Sequence, residues 1–155
     1  MRKQHGFSLI ELLIVVAIIL IISAIAIPNL LRSRRAANEA SATSSVRSID
    51  SAEVTYSATY PNAGYTCDLS ALGPPAPGTS VSEAAAGLID SVLASHTKAE
   101  YDFAMSNCGD VPSSTFFVEA TPHPGGIRKF CSDQSGVIRQ DPGSGDCTLD
   151  STPIQ

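Results

Sequence analysis

One stretch constrains the chain more than any other: GFSLIELLIVVAIILIISAIAIPNLL, from Gly6 to Leu31. Between Phe7 and Leu31 it carries a single charge, Glu11. Phe7 to Leu30 as a helix measures roughly 36 Å, enough to cross a ~30 Å hydrocarbon core with some tilt. Leu12 to Ile22 is apolar without interruption, so no polar face is left for water. A helix apolar all round belongs in lipid or inside something large. A chain of 155 residues with a polar remainder is too small to wrap it. A cleavable secretory signal is the alternative. It fits badly, because the apolar part is too long and no small-x-small site ends it.

The remainder is rich in Ser, Ala, Thr, Gly and Pro and is long enough for one domain. Net charge is −5; without Arg2 and Lys3, 8 of the 10 basic side chains face 15 acidic ones, giving −7. An acidic body does not recruit nucleic acid or anionic lipid electrostatically.

All four cysteines, Cys67, Cys108, Cys131 and Cys147, follow the apolar segment. No CxxC pair occurs and no histidine stands at ligand spacing, which argues against zinc and against a thioredoxin-like motif. An even count reads as two disulfides in an oxidising compartment, with three pairings open and four unpaired buried thiols as the alternative. Cys67–Cys108 with Cys131–Cys147 is favoured, because the second pair closes a short loop around DPGSGD. Arg2, Lys3 and the amino terminus favour a cytoplasmic start. Arg32, Arg34 and Arg35 flank the other end and bring the charge count close to a tie. The cysteines break it, since they need the oxidising side.

Lys3, Gly6-Phe7 and Glu11, set in K-x-x-G-F-S-L-I-E-L-L-I-V-V-A-I-I with Pro28 beyond, resemble the N-terminus of type IV prepilins and of type II secretion pseudopilins. The resemblance covers roughly residues 2 to 31. It implies a leader, 1–6, removed between Gly6 and Phe7 by a membrane-embedded prepilin peptidase that then N-methylates Phe7. It implies a segment 7–31 that spans the inner membrane and later forms the filament core. Its partners would be like subunits in a homo-polymer, the bilayer before assembly, and an inner-membrane assembly platform with a cytoplasmic ATPase. The precursor would be single-pass, with the head periplasmic, and would reach the cell surface as a pilus serving adhesion, motility or DNA uptake; the alternatives are a type II secretion pseudopilin and a membrane-anchored binding protein that does not polymerise. Glu11 would meet the Phe7 amine of a neighbouring subunit. A carboxylate deep in an apolar medium is costly unless paired, which supplies the physical reason.

Pro28 lacks an amide donor and clashes one turn back, so a kink is expected near Ala24 to Pro28. Many family members carry a glycine eight residues before the proline; here that position is Leu20, which disfavours local unwinding. The helix is expected to continue as an amphipathic half over 32–60. Ala36, Ala37, Ala40, Ala42, Val46, Ile49, Ala52, Tyr56 and Tyr60 mark its buried side, and Arg47, Asp50 and Glu53 are among its polar ones.

A disulfide-bonded head over 61–155 is expected next. A short helix should cover Glu83 to Ala94, capped by Ser80 or Ser82. Three or four strands should cover Ala99 to Met105, Thr115 to Ala120, Arg128 to Ser132 and Val137 to Arg139, ahead of a loop-like tail from Asp141. The fold class is α+β: a long N-terminal helix packed against a small antiparallel meander, the ladle-shaped pilin fold by resemblance. His5, His96 and His123 are isolated, and neither a GxSxG elbow nor a P-loop is present. No catalysis and no cofactor are expected. Asp133, Asp141, Asp146 and Asp150 around the Gly-rich loop are a weak calcium candidate without EF-hand spacing; a solvated acidic loop is the alternative.

Overall fold

The structure, a computed structural model, describes residues 7–126, 128–141, 143 and 145–154. Helix α1 occupies Leu9–Thr59 and passes through Pro28 without a break in its helical residues. Two compact units divide the chain, Met1–Ala37 and Asn38–Gln155. The boundary falls inside α1, six residues beyond Leu31, where the apolar half is expected to end, and two beyond Arg35.

In the first unit the described residues are helical from Leu9, and nearly every side chain is exposed. Leu9, Ile10, Leu12, Leu13, Ile18, Leu20, Ile22 and Ile25 are each more than half exposed. The helix is long and apolar enough to cross a membrane. Its apolar surface has no partner within the chain, among the described residues.

In the second unit the rest of α1 lies under a single antiparallel sheet. Ala42, Val46, Ile49, Ala52 and Tyr56 share one core with Tyr101, Phe103, Val118, Ala120, Phe130 and Ile138. The sheet is a meander in chain order: β1 (Thr97–Lys98), β2 (Tyr101–Ser106), β3 (Phe117–Pro122), β4 (Lys129–Asp133), β5 (Arg139–Asp141) and β6 (Thr152–Pro153). Register follows the side chains that must face the helix. Phe103 pairs with Ala120, and Ala120 with Phe130. Along β2, Tyr101 and Phe103 are buried while Asp102 and Ala104 are exposed, the period-two pattern of a half-buried strand.

Six strands replace the expected three or four. The additions, β1 and β6, are two residues long and pair with β2 and β5. Periodicity has nothing to register in two residues, so neither shows in the sequence. The tail beyond Asp141 is therefore not wholly loop.

Two short helices complete the unit, α2 (Leu69–Leu72) and α3 (Ser91–Ala94). The helix expected over Glu83 to Ala94 is reduced to α3, and its cap is Asp90, not Ser80 or Ser82; the Asp90 side chain accepts from the Val92 and Leu93 amides. Gly87 explains the loss. It sits at φ 69°, a left-handed conformation that ends any helix through it. The amides of Ala86, Gly87, Leu88 and Ile89 instead donate to carbonyls of residues 71–73, at 2.7–3.1 Å. That docks the loop on α2 and buries Ile89.

Candidate assembly element

At its N-terminus α1 begins as a capped helix. The Leu12 amide donates to the Ser8 carbonyl at 3.2 Å, which places Ser8 at the cap and Glu11 three residues in. The Ser8 amide donates to Glu11 Oε2 at 3.4 Å, half of a capping box. Glu11 is also the one acidic residue in the first turn, where the helix dipole favours negative charge. Phe7, just ahead, is 79% exposed. Leu9, Leu12, Leu13, Val16, Ala17 and Leu20 line one shallow apolar groove down the same side. Gly6 and the rest of the expected leader lie outside the described residues.

Two carboxylates further along α1 have exchanged places with their expected neighbours. Asp50 and Glu53 are buried, whereas Ala36, Ala37 and Ala40 are exposed. Asp50 Oδ2 accepts from the Ser132 hydroxyl on β4 at 2.8 Å, and Glu53 Oε2 accepts from the Thr66 amide at 2.9 Å. The second oxygen of each carboxyl is buried with no hydrogen-bond partner among the described residues. Burial pushes the Asp50 carboxyl up to about 6 and that of Glu53 up to about 7. Loss of hydration is the main cause in both, and one hydrogen bond to each only partly offsets it. The signal was in the spacing. Val46, Ile49, Asp50, Glu53 and Tyr56 recur at three and four residues, so the two acids stand on the same stripe as the core.

Cys67 is joined to Cys108 and Cys131 to Cys147, with Cα separations of 5.9 and 5.8 Å. The first bridge ties the segment after α1 to the end of β2; the second ties β4 to the C-terminal segment. Between them Gly64 packs on the backbone of Ser113, whose amide and carbonyl pair with Ala63 and Tyr65. A Cβ at residue 64 would meet the Ser113 carbonyl oxygen, so only glycine allows this approach.

The candidate calcium ligands are not gathered. Asp133 accepts from the Ser135 amide at 3.1 Å, Asp141 from the Gly143 amide at 2.7 Å, and Asp146 meets Lys129 at 3.1 Å. Among the described residues no group of three His, Cys, Asp or Glu side chains converges as a metal site. His123 is less isolated than its sequence context implies. Its Nε2 lies 2.9 Å from Asp102 and its Nδ1 3.6 Å from Glu100. The hydrogen bond with Asp102 raises the imidazole pKa. With both ring nitrogens turned to carboxylates, neither is aimed at a hydroxyl nucleophile.

The element with the most distinctive chemistry is therefore the capped apolar helix and the residues before it. The family model described as the prokaryotic N-terminal methylation motif matches residues 1–27. The chain carries that motif. It agrees in position with the prepilin resemblance read from Gly6-Phe7 and Glu11. The chain is also 62% identical over 39 residues to the type IV wide pilus major component PilA4 of Thermus thermophilus. That match covers 25% of this chain and 30% of the relative, so it spans under a third of the relative's length. No solved structure matches the chain significantly. The methylation motif thus ends inside α1, and the head is described by its own α+β architecture.

Proposed function

We propose that the chain is the structural subunit of a type IV pilus filament. Prepilin peptidase removes residues 1–6, cutting after Gly6, and methylates the new amine of Phe7. The precursor waits in the inner membrane with residues 7–31 across the bilayer and the head, 61–155, in the periplasm. An assembly platform driven by a cytoplasmic ATPase then transfers it to a surface filament. Its role is structural, and no chemistry is assigned to its side chains.

The observation that carries this reading is the methylation motif standing directly on a helix whose apolar surface is exposed on all sides. In the membrane lipid covers that surface. In a polymer, copies of the same helix cover it, with no change of sequence required. Glu11 distinguishes the two states. A carboxylate enclosed among apolar helices needs a cation, and the methylated amine of a neighbouring Phe7 supplies one. At ~4 Å and an effective dielectric of about 20 such a pair gains about 4 kcal/mol before desolvation is charged against it.

Electron microscopy of filaments sheared from cells, with N-terminal sequencing of the protein they contain, tests the reading. The expected result is a surface filament whose subunit begins at N-methylated Phe7. A periplasmic complex without surface fibres assigns the chain to a type II secretion pseudopilus. A correctly processed protein that stays monomeric in detergent and in cells overturns the proposal.

A further inference from the structure

His123, the residue after β3, sets its ring between two carboxylates. Its Nε2 lies 2.9 Å from Asp102 Oδ1 on β2, and its Nδ1 lies 3.6 Å from Glu100 Oε2 in the β1–β2 turn. The same Asp102 oxygen accepts from the Thr97 hydroxyl on β1 at 2.9 Å. The His123 amide donates to the Glu100 carbonyl at 2.9 Å. Side chains from β1, the turn, β2 and the end of β3 thus meet in one network. Asp102 and Glu100 are the charged groups that act on the ring. Lys98, also on β1, is engaged by Asp90 at 2.8 Å.

The part of the sheet that this network fastens is weak in itself. Edge strand β1 is paired only as Thr97 with Asp102 and Lys98 with Tyr101. The two residues of its turn, Ala99 and Glu100, sit at φ 53° and 64°. A two-residue hairpin calls for that left-handed pair, and asparagine or glycine normally supplies it. On alanine and glutamate it crowds Cβ against a carbonyl. His96, just before β1, is left-handed too, at φ 71°. Two ladder pairs on a turn of this kind are a poor hold without a tie from elsewhere.

We propose that His123 is a proton-operated clamp that fastens β1 and its turn to the rest of the sheet. The chemistry lies in the donor count. An imidazolium has two N–H donors, one for each carboxylate, whereas a neutral ring has one. The nitrogen that loses its proton turns a lone pair towards a carboxylate, and Nδ1, at the longer distance, is the one to lose it. Glu100 is then repelled, and the turn keeps only its backbone bond to the His123 amide. The hydrogen bond with Asp102 raises the imidazole pKa, and the charges of Asp102 and Glu100 act in the same direction. Asp102 is held below the ordinary carboxylate range, chiefly by its bond with His123. The tie is therefore present while Asp102 is ionised and His123 protonated, and it is lost as pH rises through the raised imidazole value. Letting β1 go makes β2 the edge of the sheet. The Phe103 amide, which donates to the His96 carbonyl at 2.7 Å, would then open to water.

The test is amide hydrogen exchange of the full chain in detergent micelles, read by NMR at pH 5.5 and pH 8. Each rate is divided by its unstructured-chain value, and Phe103 is compared with amides of β3 and β4, which follow the whole head. An exposed ion pair shifts a local equilibrium by up to about fivefold, so relative protection at Phe103 should be about two- to fivefold lower at pH 8. H123Q should match the wild type at pH 8 and show the low value at pH 5.5 as well. The Thr66 and Ser132 amides, beside the buried acids of α1, should answer to pH alike in both proteins. E100Q leaves the ring in place; it should lower the His123 pKa, followed on the ring proton signals, and shrink the step at Phe103. A step of unchanged size in H123Q overturns the proposal and assigns the pH response to other groups. A wild-type ring that titrates with no change at Phe103 overturns it equally.

Discussion

Replacing Glu53 by glutamine isolates the least comfortable contact in the head. Glu53 is fully buried, accepts one hydrogen bond from the Thr66 amide, and leaves its other oxygen without a partner. Burial raises its pKa from 4.5 to about 7. The folded state therefore holds a proton over a range in which the unfolded chain has released it. Stability from this group is full below about pH 4.5 and is lost as pH rises to about 7. At 1.36 kcal/mol per pH unit the loss is about 3 kcal/mol. Asp50, raised from 3.8 to about 6, adds a loss of the same sign over a lower window. The charge on Asp50 is one cause of the shift at Glu53, so the two losses are coupled and do not simply add. Asp68, Asp90 and Asp102 are held below the ordinary carboxylate range by hydrogen bonds and act with the opposite sign, losing stability only as pH falls.

The glutamine variant keeps an acceptor for the Thr66 amide and cannot ionise. Its new NH2 donors have no partner, which costs about 1–3 kcal/mol at pH 4. At pH 8 that cost is offset by the charge no longer buried, so the variant should equal or exceed the wild type. The assay is thermal unfolding of the detergent-solubilised chain, followed by near-ultraviolet circular dichroism. The chain has no tryptophan, so buried Tyr56 and Tyr101 report on packing. Between pH 4.5 and 8 the wild-type midpoint should fall by about 10 °C, and the variant by clearly less, at roughly 3–5 °C per kcal/mol for a unit of this size. A wild-type midpoint that is flat or rising across that range, or a variant that keeps the full slope, refutes the reasoning.

Removing the second disulfide as C131S/C147S should lower the stability of the head by about 3 kcal/mol, given a sequence separation of 16; denaturant unfolding under oxidising conditions reads it. Phe103→Ala opens a hole beneath the centre of the sheet and should cost about 3–5 kcal/mol in the same assay. Asp90→Ala removes the cap of α3 and the ion pair with Lys98, and should cost about 1 kcal/mol with faster amide exchange confined to residues 91–95. Glu11→Ala should still be processed and inserted yet give few filaments in a shearing assay; normal filament yield would remove the pairing with the Phe7 amine.

The parts of this molecule legible in the sequence are those whose physics is local. The apolar span is continuous and long, so its extent could be read residue by residue. The alternation in Tyr101-Asp102-Phe103-Ala104 placed β2 to within two residues. What escaped depends on long-range partners. β1 and β6 exist only because β2 and β5 offer them free edges. The helix expected over Glu83 to Ala94 satisfied periodicity, yet a left-handed Gly87 and open carbonyls on α2 won those amides. Asp50 and Glu53 read from the sequence only as part of the helix's polar character, since carboxylates are seldom fully buried. Their burial is made tolerable by Ser132 and Thr66, which are 82 and 13 residues away in sequence. Composition cannot announce such partners, although the spacing of the stripe could have.

Glu11 shows the same dependence at the other end of α1. In the isolated chain it has a modest local use, accepting a 3.4 Å bond from the Ser8 amide and facing the positive end of the helix. That contact is long and exposed, so breaking it costs little, and water replaces it readily. A capping carboxylate of this kind is held near the right place without being committed. In a lipid headgroup layer the arrangement suffices. Among packed copies of the helix, water is excluded and the Ser8 amide is a poor substitute for it. In the proposed filament, a full positive charge from the Phe7 amine of a neighbouring subunit would outweigh the cap. The residue need not move far, because the cap and the proposed partner both lie at the start of the helix. On the proposed assembly, the local bond would orient the acid beforehand, and its weakness would leave that acid free to change partners.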